Sequence, residues 1–346
     1  MKMCYNGIEF VMRRFGGLPH FAERKNPMPD HKSKLSSTPV VALLALFSCT
    51  LWGSAFSAVK LSYQMLGIRE EAWADQLAFG GTRFAVAGLM VLLTGSIARR
   101  KPLLPAAKTL PKICIISFFQ TVLQYFCYYI GLAHTSGVKA SVLVGTNVFL
   151  AILISALLLR LEKLTFRKLA GSVIGFLGII LINSDGFTKS SGFTFIGEGM
   201  ILLCTVASGF SSAFMKKLSA DENPVLLSGW QFLLGGMVLA GIGIINGGSA
   251  GSFNGKSFLL LLYLAFISAA AYSVWAILLK HNPVSKVAVY GFLNPVCGVI
   301  ISSWLLNEAG LIGPVFLISL LLVCAGIIVV NTPPRSDETS ARFIRR

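Results

Sequence analysis

Charged side chains are scarce in this sequence. Asp, Glu, Lys and Arg make up 13% of its 346 residues, against about 25% in soluble domains. Hydrophobic residues make up 55%, and the mean hydropathy is +0.74. Too few polar side chains remain to cover a water-facing surface, which excludes a large soluble domain. Carboxylates are the scarcest, 14 against 30 basic residues, and none lies deep in an apolar run. No HExxH, GxSxG or Cys/His metal set occurs, which argues against a membrane hydrolase and calls for no metal and no cofactor. The seven cysteines form no CxxC pair, and all but Cys4 lie in apolar runs. They read as small packing residues, not as a disulfide framework. No long apolar run follows the early charges, so residues 1–38 do not read as a signal peptide. They read as a disordered, basic, cytoplasmic tail, within which Met28 would also serve as an initiator.

Long apolar runs are what the sequence has in abundance. A helix that spans the hydrocarbon needs roughly 20 apolar residues, and ten such runs occur. They lie near 40–60, 76–97, 112–133, 138–159, 166–183, 195–216, 225–245, 257–279, 286–306 and 312–331, numbered helix 1 to helix 10. The connections are short and marked by proline, glycine and charge, as at Arg99-Arg100-Lys101-Pro102 and His281-Asn282-Pro283. The fold class expected is therefore an all-α integral membrane protein with ten transmembrane helices. With the N-terminus inside, the cytoplasmic segments and tails hold 24 basic residues, and the outer side holds Lys60, Arg69, Lys139, Lys189 and Lys256. That asymmetry favours both termini on the cytoplasmic side and an even number of helices. It also accounts for the net charge of +16 without a nucleic-acid partner. The partners implied are a small-molecule solute and the lipid bilayer.

The two halves repeat one another. At an offset of 155, Cys49-Thr50 matches Cys204-Thr205, Gln76 matches Gln231, and Gly80-Gly81 matches Gly235-Gly236. At 147, Tyr125 matches Tyr272, His134 matches His281, and Asn147 matches Asn294. Residues 178–183 match 326–331 at 148, and Glu162 matches Glu308 at 146. Chance accounts for single Gly or Ala matches in apolar sequence far more readily than for Gln, His, Asn and Tyr at held offsets. The units read as 40–183 and 195–331, with a basic cytoplasmic tail at 332–346. Five helices per unit is an odd number, so the second unit enters the membrane from the opposite side. Inverted repeats of this kind are a common plan of secondary transporters, with the substrate near the midplane.

The motifs that carry a family resemblance are Leu51-Trp52-Gly53-Ser54 with Lys60, Arg83-Phe84, and Tyr128-Tyr129-Ile130-Gly131-Leu132-Ala133 running into Thr135-Ser136 and Ala140-Ser141. To these add Leu161-Glu162 and Asn307-Glu308, each closing an apolar run. Together they resemble the EamA-like branch of the drug/metabolite transporter superfamily over residues 40–331. The resemblance implies ten helices, cytoplasmic termini, and ATP-independent export or exchange of small metabolites. It also implies a cavity lined by helices 1–4 and 6–9, with helices 5 and 10 as scaffold. Two positions depart from the family pattern: Val148 stands where proline is common, though Asn294-Pro295 keeps it in the second half, and Asn307 stands where glycine is usual.

Polar side chains are costly in hydrocarbon, so those within helices face a cavity or a partner. Gln120, Gln124 and Tyr128, spaced by four, share one face of helix 3; they read either as a wall of the substrate path or as glue between helices. Asn147 and Asn294 are repeat counterparts near mid-helix. Pro295 removes the donor that would bond the Gly291 carbonyl, and a broken polar segment near the midplane points to a binding site, although proline kinks also arise for structural reasons. Arg83 either holds a substrate carboxylate or snorkels toward Asp75, Glu70 or Glu71. Trp52, Tyr272, Trp275 and Tyr290 supply aromatic walls with polar tips, suited to apolar or aromatic solutes, or else simply pack. Glu162 and Glu308 read as ties between loops, and Gly171 with Gly175 as a close helix contact. The segment Ala250–Ser257 satisfies a relaxed phosphate-loop pattern, but it lacks the leading glycine and the preceding strand. The function expected is a secondary transporter of the cell membrane that exports an amino acid or similar small metabolite. A membrane enzyme or lipid-handling protein without solute transport is the competing reading.

Overall fold

The computed structural model describes residues 34–69, 71–135, 140, 143–182, 193–305 and 314–332. Most of both basic tails, together with Glu70, Ser136, Lys139, Ser141, Asn183, Lys189, Asn307 and Glu308, lies outside them. The described residues are helical. The helices are α1 Thr38–Leu66, α2 Trp73–Arg99, α3 Ala107–Ala133, α4 Leu143–Leu158, α5 Phe166–Ile182, α6 Phe195–Leu218, α7 Pro224–Ile245 and α8 Gly255–His281. Next comes α9, in three consecutive pieces (Val284–Ala288, Val289–Phe292 and Leu293–Leu305), and then α10 Pro314–Asn331. Seven of them (α1, α2, α3, α6, α7, α8 and α10) are long and apolar enough to cross a membrane. The protein is thus an all-helical membrane protein of ten helices.

Local chemistry sets the helix ends. α1 has Pro39 in its first turn, where no donor is lost, and stops at Gly67, whose φ of 67° suits glycine. It runs one to two turns beyond the span expected from hydropathy, because its last residues are polar yet continue the helical bonding. α7 begins at Pro224 behind Asn223, whose side chain accepts from the Val225 N–H at 3.1 Å. The phosphate-loop lookalike is a helix start: Asn254 and Ser257 exchange two 2.9 Å bonds in a capping box at the head of α8.

Two helices are broken at counterpart places. In α9 the turn Val289–Phe292 is wound as a 3-10 helix just before Asn294-Pro295, where the missing proline N–H leaves Gly291 without its usual bond. In α4 there is no proline. There the Thr146 hydroxyl and N–H both bond the Leu143 carbonyl, at 2.6 and 3.0 Å, tightening the turn before Asn147. Asn147 and Asn294 therefore stand at the heads of helical pieces and not mid-helix. The two breaks meet: a Cβ at Gly291 would lie 3.7 Å from the Val148 side chain.

The duplication is visible as reciprocal contact. α2 packs along α7, and α5 along α10. A Cβ at Gly81 would lie 2.6 Å from the Gly236 carbonyl oxygen, and one at Gly236 would lie 2.7 Å from that of Gly81. A Cβ at Gly88 would lie 2.7 Å from the Gly229 carbonyl oxygen, and one at its counterpart Gly243 would lie 2.6 Å from that of Ala74. In α5 and α10, a Cβ at Gly171 would lie 2.8 Å from the Gly326 carbonyl oxygen, and one at Gly178, the counterpart of Gly326, would lie the same distance from that of Ser319. In each pair the partner's number falls as the residue number rises, so counterpart helices run antiparallel. A parallel repeat would set them running the same way. The two five-helix units are therefore an inverted repeat about a two-fold axis that crosses the bundle. Contacts between other helices follow the same symmetry: α1 crosses α8 and α9 as α6 crosses α3 and α4.

Candidate functional site

The axis runs through a cluster of aromatic rings. Tyr125 of α3 and Tyr272 of α8 are repeat counterparts, and their hydroxyls meet at 2.7 Å. Phe84 of α2 lies 4.3 Å from the Tyr125 ring and stacks on Phe232 of α7 at 5.4 Å; Phe232 meets the Tyr272 ring edge-on at 5.0 Å. Trp52 of α1 packs edge-on against Tyr272 at 4.9 Å and Trp275 at 5.1 Å. Tyr128 and Tyr129 close the band at ring distances of about 6 Å from Tyr125. Gly80 makes room for it, since a Cβ there would lie 2.7 Å from the Tyr129 hydroxyl.

Polar atoms in and around this band lack partners. Arg83, one residue before Phe84, is 7% exposed, and its guanidinium carbon lies 4.5 Å from the Phe84 ring. Among the described residues it makes no hydrogen bond and no ion pair, and its Nε is buried without a partner. The hydroxyls of Tyr63, Tyr125, Tyr128, Tyr129 and Tyr272 all lie within electrostatic reach of its charge. Among the described residues the snorkelling alternative finds no partner: Asp75 accepts from the Ser249 N–H at 2.8 Å and Glu71 is exposed, while Glu70 lies outside the described residues. Trp52 Nε1, Gln120 Oε1, Gln124 Oε1, Asn147 Oδ1 and Asn294 Oδ1 are buried without partners among the described residues. A buried polar group left unpaired costs on the order of 1–3 kcal/mol, which makes these atoms candidates for contact with a solute.

The structure sorts the residues singled out from sequence. Trp52, Arg83, Gln124, Tyr128, Tyr272 and Trp275 gather in or beside the aromatic band. Gln120 is 8% exposed and lies within a π-helical turn, Phe118–Leu123, just before Gln124. Tyr290 is 4% exposed in the large apolar cluster with Val289 and Phe292, and its carbonyl accepts from the Cys49 thiol at 3.3 Å. Asn147 and Asn294 sit at the helix breaks. Tyr125, Phe84 and Phe232 were not among the candidates. The signal for Tyr125 lay in the repeat itself, because a residue matched to its own kind in both halves can meet its counterpart on the axis.

The end of the bundle richest in Lys and Arg is tightly tied. Glu162, in the turn after α4, accepts from the Ser285 N–H at 2.9 Å, from the Ser285 hydroxyl, and from Lys168 at 2.7 Å. Glu222 accepts from Lys112 at 2.8 Å and from Thr109 at 3.1 Å, and its carbonyl takes Lys280 at 2.8 Å. Lys216 reaches the Lys280 carbonyl, Asn282 that of Leu35, and Lys286 that of Ser36. Glu162 is thus a loop tie, as its place at a helix end suggested. At the opposite end, buried Glu198 in the first turn of α6 accepts from the Thr194 N–H and hydroxyl and from Thr135 at 2.7 Å. Its place after Thr194 at a helix start was the available signal.

Comparison with known proteins agrees with this architecture. The profile of the EamA-like transporter family matches residues 39–184 and again residues 195–332. An "Uncharacterized transporter" of Archaeoglobus fulgidus is 26% identical over 269 residues, covering 77% of this chain and 90% of that one. The "Uncharacterized transporter YvbV" of Bacillus subtilis is 26% identical over 306 residues, covering 87% and 94%. A solved crystal structure at 20% identity has the same fold, with a TM-score of 0.66 over 84% of this chain and 97% of that one.

Proposed function

Because the chain belongs to the EamA-like transporter family, we propose that it is a secondary, ATP-independent transporter of the cytoplasmic membrane that exports an amino acid or a similar small metabolite by alternating access. It is a membrane transporter and not an enzyme. The carrying observation is the meeting of Tyr125 and Tyr272 on the two-fold axis, 2.7 Å apart, amid buried polar atoms without partners. A site on the axis of an inverted repeat is presented alike to both halves, so either half can open it. Trp52, Arg83, Gln124, Tyr128, Tyr272 and Trp275 are its walls, with Asn147 and Asn294 at the adjoining helix breaks. The units span 40–183 and 195–331, and both basic tails lie in the cytoplasm. The ties among Glu162, Ser285, Glu222 and Lys280 then close the cytoplasmic end, and these must part before the site can open inward.

Flux into proteoliposomes tests the reading. Purified protein should move at least one solute from a panel of amino acids, nucleosides, organic cations and aromatic carboxylates, at a rate well above protein-free vesicles. Failure to move any of them, with or without a proton gradient, overturns it.

A further inference from the structure

We infer that the aromatic band holds the carboxylate of an organic monoanion on Arg83, so that the favoured solute is a small aromatic or apolar monocarboxylate and not the zwitterion or amine of the same size. The inference rests on the transport reading and narrows its solute from an amino acid or similar small metabolite to a metabolite that carries the carboxylate without the ammonium. Arg83 stands ten residues into α2, roughly 15 Å along the helix, and is 93% removed from solvent by its 7% exposure. A guanidinium offers five donors in a rigid fork, and here none is used among the described residues. A buried charge without a partner is strongly unfavourable, and proteins tolerate one where a ligand supplies the counter-charge. Four of the described carboxylates are engaged elsewhere: Asp75 with Ser249, Glu162 with Ser285 and Lys168, Glu198 with Thr135 and Thr194, and Glu222 with Lys112; the other two, Glu71 and Asp221, are exposed at the helix ends.

Charge balance then narrows the ligand. One cation with no acid beside it among the described residues is matched by one negative charge. A dianionic phosphate would need a second cation, and among the described side chains none of the rings around Arg83 is accompanied by one. The ammonium of an amino acid would find only neutral acceptors such as Gln124 Oε1. The walls are Phe84, Phe232, Tyr125, Tyr272 and Trp52, which suit a flat apolar body. Trp52 Nε1 and the tyrosine hydroxyls supply neutral donors that a carboxylate can also use.

The test uses the full-length protein and four probes that share one phenyl body: 3-phenylpropionate, L-phenylalanine, phenethylamine and 3-phenylpropanamide. Thermal unfolding in detergent reads binding, and proteoliposome uptake reads transport. Among the four, 3-phenylpropionate should give the largest upward shift of the unfolding midpoint and the fastest uptake. Arg83→Gln should lower its apparent affinity by about tenfold or more, the cost of losing a charge-assisted pair, while leaving that for the amide within about twofold. Arg83→Lys, which keeps the charge and loses the fork, should fall between them. Without ligand, Arg83→Gln should unfold at a higher temperature than the wild type, because an unpaired buried charge has gone. A structural arginine would give the opposite sign, and a ligand-free variant less stable than wild type overturns the inference. So does equal stabilisation by all four probes, or an unchanged carboxylate preference in Arg83→Gln. Uptake of the amine or amide without the carboxylate overturns it while leaving transport standing. Carboxylate binding that depends on Arg83, with no probe taken up, overturns transport while leaving the site standing.

Discussion

At the scale of the residue, the Tyr125–Tyr272 pair is the point where both halves of the molecule touch the same atoms. Each hydroxyl donates or accepts one 2.7 Å bond to the other. Replacing either by phenylalanine leaves the remaining hydroxyl buried without its partner, whereas replacing both removes the need. Tyr125→Phe and Tyr272→Phe should each lower uptake of the transported solute, and the double variant should lose less than the sum of the two. A coupling energy of about 0.5–1.5 kcal/mol in stability is expected from a double-mutant cycle by denaturant unfolding. Strict additivity would mean that the bond contributes nothing. Much of this site was legible in the sequence because hydrocarbon makes each polar side chain conspicuous, as with Arg83, Gln124 and Tyr128. Phe84 and Phe232 were not, since an apolar ring within an apolar run carries no mark of its own. Tyr290 shows the converse, a polar-tipped ring whose place proved to be the packed core.

At the scale of the element, helix packing depends on glycines where backbones cross. Gly81 and Gly236 face each other's carbonyls across α2 and α7, within 2.6 and 2.7 Å of where a Cβ would sit. Gly81→Val and Gly236→Val should each lower the unfolding midpoint by similar amounts and cost about 3 kcal/mol or more, as over-packing against rigid backbone does. Gly241, on the same α7, has nothing within 4 Å of its would-be Cβ. Gly241→Ala should be neutral or stabilising by up to about 1 kcal/mol. Loops add electrostatic ties. Burial pushes the Glu222 carboxyl up, but the Lys112 hydrogen bond and charge, with the Thr109 hydroxyl, hold it on balance below the usual carboxylate range. A depressed folded value gives stability that is full above the unfolded value of about 4.3 and is lost as pH falls through the folded one. The stability gap between wild type and Lys112→Met should therefore be open near pH 6 and close on acidification below about pH 4, as followed by unfolding midpoint against pH. Helix positions were legible from hydropathy to within a few residues. The break at Thr146 was not, because a threonine hydroxyl that rebonds the preceding turn looks the same in sequence as one that does not. The π-turn at Phe118–Leu123 is likewise without a mark in the sequence.

At the scale of the whole molecule, the count of helices and their duplication could be read in advance, because offsets held by Gln, Asn and Tyr survive in a sequence otherwise dominated by interchangeable apolar residues. The sense of the repeat followed from five being odd, and antiparallel counterpart contacts bear it out. Orientation is open to direct measurement. Single cysteines at Lys101, Asp221 and His281, all exposed, should be labelled by a membrane-impermeant maleimide only after the inner face is exposed. Cysteines at Glu71 and Asn246 should be labelled in intact cells. The reverse pattern would place both basic tails outside.

The reciprocal glycine contacts of α2 with α7, and of α5 with α10, have one more consequence. When two halves trade conformations, a contact between different helices becomes its mirror contact, and something must slide. A contact between counterpart helices is carried onto itself and can stay as it is. These two seams are thus the bearings of the molecule, free to remain closed through a whole cycle, while α1, α3, α4, α6, α8 and α9 travel around them. Their dense, glycine-lined packing is what a part that never opens can have, and what a gate cannot.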